Sequence, residues 1–76
     1  MEEIIKEKFN LTEVDYISEK PEATYWKSGN TFGWIMEHKG THYGSHVVND
    51  VEVSPGVIRN WLKENVEETL RVLNKE

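Results

Sequence analysis

Apolar residues recur at two different periods along this chain, and each change of period marks an element. Ile4, Ile5 and Phe9 stand at helical spacing within residues 2–9, followed by Asn10, a residue suited to ending a short helix. Residues 11–18 permit a strand, because Val14, Tyr16 and Ser18 alternate with Asp15 and Ile17, but they specify little more. The middle of the chain reads more clearly. Gly29-Asn30 separates the β-prone residues 24–28 from 31–38, and Lys39-Gly40 separates those from 41–48. Two tight turns between three such runs predict an antiparallel meander.

With two residues in each loop, Trp26 pairs with Gly33 and Gly33 with His46, and the period of two then sorts side chains by face. One face collects Tyr25, Phe32, Trp34, Met36, Tyr43 and Val47 and is expected to be core. The other collects Trp26, Ile35, Glu37, His42, His46 and Val48, with Gly33 and Gly44 among them, and is expected to be exposed. Asn49-Asp50 offers another turn, which leaves residues 51–53 as a fourth strand or as the third continued past a bulge.

Ser54-Pro55 announces a helix, with Ser as N-cap and Pro at the first helical position, where its missing N–H costs nothing. Along it Val57, Ile58, Trp61, Leu62, Val66, Leu70 and Leu73 form a broad apolar stripe, while Arg59, Lys63, Glu64, Glu67, Glu68 and Arg71 face water. The expected fold is therefore α+β, in the order α-β-β-β-α. A three- or four-stranded antiparallel meander has the long C-terminal helix and the short N-terminal helix on one face.

Length narrows this to one domain, residues 1–76, since a chain so short does not hold two independent cores. Three Trp, three Tyr and two Phe supply its bulk. The absence of cysteine excludes disulfides, thiolate zinc sites and thiol nucleophiles and fits a reducing compartment. The longest apolar run, Trp34-Ile35-Met36, is far below the ~20 residues of a membrane-spanning helix, and residues 1–6 lack the form of a secretory signal. The expected location is the cytoplasm, with no membrane partner.

A net charge of −5 repels phosphate backbones on average, yet it is unevenly spread. Residues 1–22 hold seven acids and three Lys, residues 23–49 hold Glu37 against Lys27 and Lys39, and all three His lie in that middle block.

His38, His42 and His46 recur at intervals of four, a spacing that would gather imidazoles on a helix. Lys39-Gly40 interrupts any such helix, and a step of four along a strand spans ~13 Å, so neither a metal site nor any other cofactor is expected. Glu37 and His42 are directly opposed, within ~5.5 Å at Cβ, an arrangement open to acid–base work or to a plain surface ion pair. Gly33 lies between Trp26 and His46. Either Trp26 folds over Gly33 to shield backbone, or Gly33 and Gly44 form a slot that admits a partner against Trp26 and His46. No glycine-rich phosphate loop or nucleophile elbow is present, and no catalytic residue is assigned.

Residues 41–46 (Thr-His-Tyr-Gly-Ser-His) and 55–59 (Pro-Gly-Val-Ile-Arg) resemble the Gly-Ser-His and Pro-Gly-x-x-Arg stretches of small mRNA-cleaving toxins of the HicA type. The spacing between the stretches is shorter than in that family and the basic surface is lacking, so the chain is not assigned to it. Three functions remain in order. The first is a small acidic, non-enzymatic module, accessory or inhibitory, that binds a protein through the face bearing Trp26, Gly33, Glu37, His42, Gly44 and His46. The second is a nucleic-acid-binding domain of the α-β-β-β-α type. The third is a small hydrolase or metal protein using Glu37, His42 and His46. Homodimerisation is compatible with all three, since surplus aromatics in a small core gain by burial against a copy.

Overall fold

The computed structural model describes residues 1–75. Helix α1 (Glu2–Phe9) leads into strand β1 (Tyr16–Glu19), followed by β2 (Thr24–Ser28), β3 (Thr31–His38), β4 (Thr41–Val48) and the long helix α2 (Pro55–Asn74). The strands form one open antiparallel sheet in the order β1-β2-β3-β4, giving an α+β fold with element order α-β-β-β-β-α.

Local chemistry explains most of the boundaries. Asn10 ends α1 in the left-handed conformation, its N–H donating to the carbonyl of Lys6. Lys39 and Gly40 both have positive φ, 52° and 81°, as the type I′ hairpin turn between β3 and β4 requires. The expected register holds: Trp26 opposes Gly33, Gly33 opposes His46 and Glu37 opposes His42. The fourth strand is β1, not residues 51–53. Pro21-Glu22 turns β1 into β2, with Lys20 N–H donating to Ala23 at 3.0 Å. Two further bonds hold the segment before β1 against the β2–β3 turn. The Asp15 carboxylate accepts from Gly29 N–H at 2.6 Å, and the Ser28 hydroxyl donates to the Glu13 carbonyl at 2.6 Å.

Residues 51–53 instead form an irregular link closed by one side chain. Asn49 donates from Nδ2 to the Val53 carbonyl and accepts from Val53 N–H through Oδ1, both at 2.9 Å. This pair replaces a strand's ladder and points Val53 at the core, where it packs partly buried. Asn49→Ala should therefore cost about 1–2 kcal/mol, read as a shift of the urea midpoint at unchanged slope.

The two helices lie on opposite faces of the sheet, which corrects the expectation that both pack on one. Under α2, Phe32, Trp34 and Met36 join Ile58, Leu62, Val66 and Leu73 in the larger core. Under α1, Ile5 joins Trp26 and Ile35, flanked by Phe9, Leu11, Val14 and Ile17. A four-stranded sheet with apolar residues on both faces needs a cover on each, and α1 is the cover for the second. Trp34 is buried as expected, but Trp61 is not: it is 50% exposed, and Val57 is exposed beside it. The buried arc of α2 is centred on Ile58, Leu62 and Val66, which leaves Val57 and Trp61 on its flank. Ser54 begins α2 by accepting from Val57 N–H at 3.0 Å through its backbone carbonyl, not through its hydroxyl.

Candidate functional site

The face expected to be exposed is largely covered by the chain itself. Trp26 is only 2% exposed, lying over Gly33 and against the Phe9 ring of α1, with centroids 4.7 Å apart. Phe9 in turn meets His46 edge-on at 5.6 Å and sits above Gly44. The slot at Gly33 and Gly44 is thus occupied by two of the protein's own rings, and the shielding role of Trp26 is the one the packing supports.

Of the remaining candidates, His46 is exposed at the margin of this cluster. Glu37 and His42 stand apart from it at the turn end of β3 and β4. Their side chains approach to 3.7 Å between Nε2 and Oε2, with Glu37 well exposed, so the pair is a surface contact worth at most ~1 kcal/mol. Lys8 adds a bond to the His42 carbonyl at 3.2 Å, tying α1 to β4. Among the described residues no three His, Asp or Glu side chains gather where one metal ion could bind them.

A concave feature lies on the other face of the sheet. Because α2 crosses β3, it leaves the outer face of β1 and β2 open, and a groove of about 1010 Å³ runs between them. Tyr25, Phe32, Leu62, Val66 and Leu70 form its apolar wall and floor. Its rims are basic. On α2, Arg59, Lys63, Glu67 and Arg71 follow one another at intervals of four and so form a single row along the helix. From the sheet side come Lys20 and Lys27, with Glu22 beside them.

Five of the chain's nine Lys and Arg therefore line one groove, against two of its fourteen acids. The groove carries +3 in a chain of net −5, which leaves −8 for everything else. Two of the cations rest on rings: the Arg59 guanidinium lies 5.7 Å from the Tyr16 centroid, and Lys27 Nζ 5.7 Å from that of Phe32. The sequence contained the signal for this row in the spacing 59-63-67-71. It read only as the wet face of a helix, because nothing local shows that β1 and β2 extend beneath it.

Burial raises the Tyr25 phenol above its usual 10.0, and the Glu22 and Glu67 carboxylates add to the effect. The folded state thus favours the neutral phenol. That contribution to stability is fully present below pH ~10 and is lost as pH rises through the higher folded value. Tyr25→Phe should remove this part of the alkaline loss of stability, seen in melts taken at intervals from pH 9 upward.

No helix among the described residues is long and apolar enough to cross a membrane. Compared with known proteins, the chain matches no family model, no curated protein and no solved structure.

Proposed function

We propose that this protein is a non-enzymatic module that binds a segment of another protein, and that its recognition surface is the groove between α2 and the outer face of β1 and β2. The observation that carries the reading is the concentration of five cations around an apolar floor in an otherwise acidic chain. A half-open cleft with an apolar floor and a few placed charges is the usual form of a binding site. The three His stand outside this groove, and its ionisable groups are Lys, Arg, Tyr and two Glu, a set suited to holding charge. As part of the same proposal the cysteine-free chain acts in the cytoplasm.

Site-specific photocrosslinking tests the proposal. A photoreactive residue in place of Asn60, exposed at the rim of the groove, should trap a discrete protein in cells that express the variant. The same residue at exposed Glu64, outside the groove, should not. Identical background products from both positions would end the reading.

We propose also that the protein associates with a second copy of itself through α2. Val57, Trp61 and Val72 are all exposed on the flank of α2 away from the groove, where a second copy would cover them. Trp61→Glu should then lower the mass seen by sedimentation, and an unchanged monomer in both forms would remove the idea.

A further inference from the structure

We infer that the occupant of the groove is an extended acidic segment of about seven residues from the partner, with acids at the first, third and seventh positions counted in the direction of α2, whichever way the segment itself runs, and apolar residues between them. This rests on the proposed function and specifies its ligand. Arg59, Lys63, Glu67 and Arg71 follow one another at a rise of ~6 Å per step along α2. In an extended chain, side chains on one side repeat every ~6.7 Å. Alternate residues of such a segment therefore keep pace with the row for its four members.

The sign of the row sets the pattern. Arg59, Lys63 and Arg71 meet the first, third and seventh residues, while Glu67 disfavours an acid at the fifth. The intervening side chains point away from α2 toward the sheet, where the half-buried Tyr25 offers apolar contact.

Other anions fit less well. A fatty acid carries one charge at one end, whereas these cations are distributed over ~18 Å of helix. A single-stranded nucleic acid places a phosphate at every step, so it meets Glu22 and Glu67 inside the groove and a surface of −8 beyond it. A peptide avoids both costs, because it can place its acids selectively and is short enough to end at the groove.

Selection from a displayed random heptapeptide library tests this on the intact protein, with a Ser18→Trp variant that fills the groove as the counter-selection. The expected winners are acidic with alternating apolar residues. The better binder of the synthetic peptide Glu-Leu-Glu-Leu-Gln-Leu-Glu and its reverse, Glu-Leu-Gln-Leu-Glu-Leu-Glu, should bind at least about tenfold more tightly than its Lys counterpart. It should lose about tenfold on R59E with K63E, with the milder pair K63Q and R71Q as a second probe should the first fail to fold.

Groove-dependent winners that are neutral or basic would overturn the acidic segment while leaving the protein-binding reading intact. A library that yields nothing Ser18→Trp rejects would overturn both. Tighter groove-dependent binding of oligo(dT) or dodecanoate than of the acidic peptide would also overturn both.

Discussion

Gly33→Val should unfold the domain or lower its stability by about 3 kcal/mol or more, although valine is among the best residues for a strand. A Cβ at this position would run into the Trp26 indole and approach the Ser45 carbonyl oxygen to 2.7 Å. Neither neighbour can yield cheaply. Trp26 is held beneath Ile5 and Phe9, and Ser45 is in the β4 backbone opposite Trp34. A double-mutant cycle isolates the cause. Trp26→Ala alone should cost about 3–5 kcal/mol, but Gly33→Ala added to it should cost clearly less than in the native chain, since the ring it strikes is gone. Chemical denaturation of the four proteins checks this, and a Gly33→Val variant as stable as the native protein would refute the packing of α1 over this face.

Trp34→Ala should cost a further ~3–5 kcal/mol by emptying the centre of the larger core, where Trp34 lies with Phe32 and Met36 beneath Ile58, Leu62 and Val66. A domain of this length has a total stability of roughly 4–11 kcal/mol, so the variant should be largely unfolded or close to it. Trp34→Phe should be far milder, below ~2 kcal/mol. It keeps most of the ring volume, and the buried indole Nε1 of Trp34 has no hydrogen-bond partner among the described residues to lose. Near-equal losses from the Ala and Phe variants would mean that Trp34 acts through something other than its bulk.

These two residues also show where local reasoning succeeds and where it fails. Trp34 and Trp26 lie on opposite faces of the same sheet, and the register that separates them follows from two turns, Gly29-Asn30 and Lys39-Gly40. Their burial does not follow from the register. An alternating strand assigns side chains to faces but is silent on whether a face is covered. The helical run at 2–9 was legible, whereas its packing against Trp26 and Gly44 depends on the path of residues 10–15, set by bonds such as Asp15 to Gly29. Strand β1 was legible in principle from Lys20-Pro21-Glu22-Ala23, a turn with Pro at its second position. Its four residues, Tyr16–Glu19, are too few and too weakly patterned to mark it.

By itself, then, the sequence determined what depends on neighbours a few residues apart: the α1 and α2 segments, the meander, its register and the residue composition of each face. Hydrogen-bonded turns and the periods of strand and helix are short-range properties, and each is readable from a window of several residues. Which face lies open, and that Arg59, Lys63 and Arg71 look across at Lys20 and Lys27, was decided only by the tertiary structure. Those residues are brought together by the crossing of α2 over β3 and the addition of β1 at the sheet's edge, and contacts set by packing between distant elements leave no periodic mark on either one.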